Sequence, residues 1–296
     1  MPTGVTSVVI AILLRSAGTL SRTWYFVVGG VLLATLLSRT LSEKHWGAVS
    51  SLPAWLKIPF ATVVGMVSPV HTTSFVPFVV DLSSHGQFLG PSLSFLAASS
   101  MMNPQLLVMS FGLLGSRFAF AQLSCVFAIG VALGFAAPLL ELRWSMTEES
   151  IQEAIDSHHR TEPRSYVAQC LGMLEYVGLY YLLGVILGVS LELLLPKALV
   201  LWSLESLPWL SVAVAGWLGV PLYVCGGGAL PLAKSLTELG ISRGAMLAFL
   251  VSGQATRSTA LANVGCLLRK KALIIYVVTI VAAAVMLGYA FDLVAG

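Results

Sequence analysis

Charge is what this sequence has least of. Asp, Glu, Lys and Arg together make up 10% of its 296 residues, against roughly 25% in a soluble domain. A water-soluble globule cannot cover its surface with so few, so that class is excluded. The small net charge of +3 gives no basis for nucleic-acid binding. Cysteine is equally sparse. Cys125, Cys170, Cys225 and Cys266 are the only four, and their spacing forms neither a disulfide framework nor a paired Cys-x-x-Cys. No Gly-x-Ser-x-Gly and no His-Glu-x-x-His occurs. The Gly226-Gly227-Gly228 run lacks the following Lys-Ser/Thr of a phosphate-binding loop, so ATP hydrolysis by this chain is not expected. No cofactor is expected either.

What remains is apolar. Hydrophobic residues make up 57%, and the mean hydropathy is +0.90. The expectation is an all-α integral membrane protein, since a span needs ~20 apolar residues. Apolar segments lie at Trp24–Leu41, Pro53–Val70, Phe118–Leu140, Tyr166–Leu195, Leu207–Val224 and Ala272–Val294. Val5–Leu14 is expected to belong to a first membrane helix rather than to a removed leader. Arg269, Lys270 and Lys271 form the clearest basic cluster and are assigned to the cytoplasmic side.

The chain also contains itself twice. A shift of 154 positions lays Leu56–Leu114 on Leu210–Leu268 without a gap. Gly65 meets Gly219, Pro77 meets Pro231, Gly86 meets Gly240, Gly90 meets Gly244, and Phe95-Leu96 meets Phe249-Leu250. The division follows: an N-terminal repeat over 1–140, a polar linker over 141–165 and a C-terminal repeat over 166–296. About eight long transmembrane helices plus paired half-helices are expected, in two pseudo-symmetric repeats. Interrupted segments at matching places in two membrane halves point to a transporter and to its binding site.

The interruptions supply the candidate site. Residues 71–104 hold Pro77, Gly86, Gly90, Pro91 and Pro104, which leaves room for two short helices near Phe75–Ser84 and Pro91–Ala98 but for no full span. The turn before the first presents His71, Thr72, Thr73 and Ser74. Its counterpart is Cys225, Gly226, Gly227 and Gly228. Both would sit at helix N-termini, whose unpartnered N–H groups favour anions and oxygen-rich ligands. Cys225 there would be shifted toward thiolate, so Cys225 and His71 are candidate metal or metalloid ligands. At the second break Asn103 stands in the first half, and Gln254, Thr256 and Arg257 in the second. A lone Arg at mid-membrane has to be paired, face water or be functional. Asp81 with His85, and Lys234 with Glu238, lie four apart and are read as gating or proton-coupling pairs.

Two blocks carry a family resemblance. Leu218-Gly-Val-Pro-Leu-Tyr-Val-Cys225-Gly-Gly-Gly-Ala-Leu-Pro231, with Gly240-x-x-x-Gly244 through Phe249 to Gly253, resembles the bacterial two-repeat permease family that includes the organoarsenical efflux permeases. Gly65-x-x-Ser68-Pro69, Gly90-Pro91 through Ser99, and Asn103-Pro104 resemble its first half. The resemblance implies a secondary permease of the inner membrane that exports a small toxic metalloid or metal species, such as a trivalent organoarsenical. Its partners would be membrane lipid and a small-molecule solute, with a homo-oligomer possible. The chain departs from the family in keeping one cysteine, Cys225, at the interrupted turns and in carrying Arg257. The second difference favours an anionic or oxygen-rich ligand. A permease for another such solute is one alternative. A membrane enzyme acting on a lipid phosphate through His71, Asp81 and Arg257 is another, and a subunit docking a partner through 141–165 a third.

Overall fold

The computed structural model describes residues 5–40, 53–67, 89–138, 165–194, 208–222, 226–238, 240–257 and 270–295, together with 260–261, 264–265 and 268. Ten helices are described: α1 (Val5–Thr40), α2 (Ala54–Val67), α3 (Leu89–Met101), α4 (Pro104–Leu114), α5 (Ser116–Ala136), α6 (Tyr166–Leu194), α7 (Pro208–Leu222), α8 (Gly226–Glu238), α9 (Arg243–Thr256) and α10 (Lys270–Ala295).

Two of them form the centre. Every residue of α3 from Gly90 to Met101 is buried, and so is every residue of α9 from Gly244 to Thr256. Each is about 20 Å long at 1.5 Å per residue, short of the ~30 Å hydrocarbon core. They correspond to the short helices expected near Pro91–Ala98 and Gly244–Ser252, a few residues longer at the ends. α3 packs on α2 and α5, α9 packs on α7 and α10, and α3 and α9 touch each other. Around this centre the long helices turn apolar side chains outward. Phe120, Phe127 and Phe135 on α5 are exposed, as are Ile274, Val278 and Met286 on α10. Only half of the best apolar window of α5 is buried, and a third of that of α10. Water does not favour so much exposed hydrocarbon, and acyl chains do.

One expectation needs correction. The segments Val5–Leu14 and Trp24–Leu41 are parts of one helix, α1, of 36 residues. Nothing between them breaks a helix, since Gly18 only weakens it. Among the described residues, α5 and α10 are the helices long and apolar enough to cross a membrane, while Trp55–Val67, Pro104–Leu114 and Leu210–Val220 are shorter apolar helices. α4 stops after 11 residues because Gly115, at φ 87°, is both its C-cap and the N-cap of α5.

Close backbone approach holds the centre together, and it recurs at the 154-residue spacing. A Cβ on Gly65 would lie 2.6 Å from the Phe95 carbonyl oxygen, and one on Gly219 would lie 2.6 Å from that of Phe249. Gly90 abuts the Gly134 carbonyl, and Gly244 abuts that of Gly288. Small residues at such crossings let membrane helices pack without a hydrophobic driving force. Side-chain hydroxyls reinforce them. Ser94 Oγ donates to Gly130 O (2.8 Å) and pairs with Thr62, and Ser252 Oγ donates to Gly216 O (2.7 Å). The ends of α4 and α9 are also secured. Asn103 Oδ1 accepts from Leu106 N (2.8 Å), Ser242 Oγ accepts from Ala245 N (3.1 Å), and Asp292 Oδ1 accepts from Gly244 N (2.7 Å).

Candidate functional site

Nearly all buried polar groups in a membrane helix bundle are satisfied, because water is not there to replace a missing partner. The serines of α3 follow this rule: Ser99 and Ser100 donate to the carbonyls of Leu96 and Ala97 one turn back. Against that background one group of side chains stands out. Gln254 on α9 is 1% exposed, and neither its amide nitrogen nor its amide oxygen has a partner. Gln122 on α5 is fully buried. Its Oε1 accepts from Ser110 Oγ (2.8 Å), and its Nε2 is unpartnered. Tyr276 on α10 is fully buried, and its hydroxyl lies toward Ser100 without forming a bond. Arg257 is the C-cap of α9, with its Nε buried and unpartnered.

These groups come from helices that pack on one another: α5 on α9, α5 on α10, and α9 on both α3 and α10. They are also related by the chain's internal spacing. Position 122 falls on 276 and position 100 on 254 under the same 154-residue shift. Each unmet buried group costs about 1–3 kcal/mol. Hydrogen-bond donors predominate in the set: two amide nitrogens, a phenol and a guanidinium. Such a set recognises a ligand that presents oxygen or other acceptor atoms.

The expected site residues divide among several places. Gln254 and Arg257 stand three apart at the end of one buried helix. Thr256 is buried there too, but its hydroxyl donates to Ser252 O (2.8 Å) within the helix. Asn103 is half-buried and caps α4, its Oδ1 accepting from Leu106 N. Gly226, Gly227 and Gly228 form the first turn of α8 rather than a turn ahead of it. Glycine's poor helix propensity matters least there, because a first turn needs no upstream acceptors. Lys234 and Glu238 do share a face of α8, but among the described residues no ion pair joins them. Both line a separate cavity between α1, α6 and α8. His71, Thr72, Thr73, Ser74, Asp81, His85 and Cys225 lie outside the described residues, as does the linker before Ser165. The metal expectation at His71 and Cys225 falls there too. Among the described residues no three His, Cys, Asp or Glu side chains converge.

Sequence reading missed Gln122 and Tyr276. Both sit inside long apolar helices, where a single polar residue is easily read as tolerated. Extending the internal alignment past Leu114 would have placed one on the other.

The short buried central helices, the lipid-facing rim and the unmet polar groups at the centre describe a helical membrane protein. The chain belongs to the ArsP_1 family of predicted permeases, whose family model matches residues 10–293. It is therefore a membrane protein of a transporter family. No curated protein and no solved structure gives a significant match.

Proposed function

We propose that this chain is a secondary permease of the inner membrane that exports a small toxic metalloid or metal species of the trivalent organoarsenical kind. The observation that carries the reading is Gln254, buried at 1% exposure with both amide atoms unmet, at the end of a helix too short to span. Gln122, Tyr276 and Arg257 carry further unmet polar atoms on the same helix or on helices packed against it, and a ligand bound among them would supply the hydrogen bonds these groups lack. We read the recurrence of the Gly65, Gly90, Gly219 and Gly244 contacts as the mark of two duplicated halves. Rocking of one half against the other would open the site to each side in turn. With no ATP-binding loop in the sequence, an ion gradient is the energy source that fits. Membership of a permease family favours this reading over an enzyme acting on lipid phosphate.

The test is a resistance and transport assay. Expression in an arsenical-sensitive bacterium should raise tolerance to trivalent methyl- or phenylarsenicals, and everted vesicles should accumulate the same compound. Gln254→Met, present in the membrane at normal abundance, should lose most of both. Full activity in that variant, or no gain from the unaltered chain against arsenicals, antimonite and metal ions alike, would overturn the proposal.

A further inference from the structure

A second feature lies away from the unmet cluster and shares no residue with it. Between α1, α6 and α8 is a cavity of about 380 Å³, within the range of small-molecule pockets. Two of its walls are polar and cationic. α1 contributes Arg15, Thr19 and Arg22, at the i, i+4 and i+7 positions of one helix face. α8 contributes Lys234, Ser235 and Glu238. The third wall is apolar, from Val185 and Val189 one turn apart on α6.

The charge count in the lining is three cations to one carboxylate. This occurs on a helix that is otherwise built for lipid. Leu13 and Leu14 precede Arg15, Trp24 and Tyr25 follow Arg22, and all four are exposed. Cations in such a setting call for a counter-charge or a wet cavity. The two threonine hydroxyls of the α1 wall are already engaged. Thr19 Oγ1 donates to Arg15 O (3.0 Å), and Thr23 Oγ1 is engaged with Thr19 O (2.7 Å) and the Tyr181 hydroxyl. The Thr23–Tyr181 contact instead ties α1 to α6 and fixes the cavity wall. Recognition is left to the guanidinium and ammonium groups, and their preferred partner is a phosphate-like oxyanion. The volume exceeds what a bare oxyanion fills, and the apolar wall suits hydrocarbon attached to it.

We infer that this cavity binds a phosphate group, held by Arg22 and Lys234, with any attached chain lying along Val185 and Val189. Two sources share that chemistry, an anionic phospholipid headgroup and free phosphate. The full chain in phosphatidylcholine nanodiscs separates them. Inorganic phosphate and short-chain phosphatidic acid are titrated separately, with the unfolding midpoint as readout. At least one should raise the midpoint saturably. Arg22→Gln with Lys234→Gln should weaken that binding tenfold or more. Stabilisation by phosphate identifies the free ion as ligand. Stabilisation by phosphatidic acid alone identifies the headgroup. Val189→Trp, which leaves every charge in place and fills the cavity, should abolish binding in either case and guards against misfolding of the charge variants. No saturable binding of either probe to the unaltered chain would overturn the inference, as would equal binding to the filled and charge-neutralised variants. The readout does not depend on transport, so it stands apart from the proposed export activity.

Discussion

Gly65 meets the Phe95 carbonyl at the same 2.6 Å as Gly219 meets that of Phe249, yet the hydroxyls beside these two contacts come from different positions. In the N-terminal pair, α2 and α3, Ser94 bonds across to Gly130 and to Thr62. In the C-terminal pair, α7 and α9, position 248 is Ala, and Ser252 takes over by bonding to Gly216. The helix ends differ as well. Asp292 accepts from Gly244 at the start of α9, and the matching position in the first half is Pro138. Backbone approach is the shared part because it has no alternative: a carbonyl at that distance leaves room for hydrogen and nothing larger. Polar side chains have alternatives, and they have diverged. The largest divergence is at the centre, where Ser100 stands opposite Gln254 in the alignment and Gln122 opposite Tyr276. The glycine contacts that recur at this spacing are therefore alike, while the polar side chains beside them are not.

The comparison can be broken most forcefully at the glycines. Gly244→Ala should destabilise more than Gly90→Ala, because its methyl would meet the Asp292 carboxylate as well as a carbonyl, whereas at Gly90 the polar clash is with Gly134 O alone. Overpacking of this kind costs about 3 kcal/mol, and the thermal midpoint in detergent is the check. Equal midpoints would show that Asp292 moves aside freely. Next in size is the central pair. Gln254→Met should raise the midpoint, by about 1–2 kcal/mol of stability, since it removes an unmet buried amide, while transport falls. Ser100→Ala should change stability far less, because the hydrogen bond its hydroxyl donates is to Ala97 O one turn back. A Gln254→Met protein that is less stable than the original would mean the amide is bonded after all. Ser252→Ala should cost about 1 kcal/mol for one lost hydrogen bond. Smallest is Asp292→Asn, which removes a charge from the N-terminus of α9 at a cost of about 0.5–1 kcal/mol. Substitution of Pro138 should have no matching effect.

Much of the frame could be read from residue order. Gly90-Pro91 and Gly244 marked where short helices begin, and the polar residues after Ser99 and Gly253 marked where they end. Gln254 and Arg257 drew attention because two polar residues at the end of an apolar helix are conspicuous. Asn103 was read as a ligand group because a capping amide and a binding amide look the same until the geometry of Leu106 N is known. The pairing of Lys234 with Glu238 was inferred from their spacing of four, which puts them on one face but does not bring them together. The cavity of Arg15, Arg22 and Lys234 joins residues more than 200 positions apart, and no local pattern links them.

Residue order alone determined that this chain is apolar enough to live in lipid, that it carries related segments 154 positions apart, and where its short helices must break. Those properties depend on composition and on glycine and proline, whose effects act within a turn of the chain. Tertiary structure alone decided that α3 and α9 are enclosed from Gly90 to Met101 and from Gly244 to Thr256, that Gln122 and Tyr276 join Gln254 in carrying unmet polar atoms, and that three cations line one cavity. Burial and hydrogen-bond satisfaction are properties of neighbours in space, and packing between helices distant in sequence sets them.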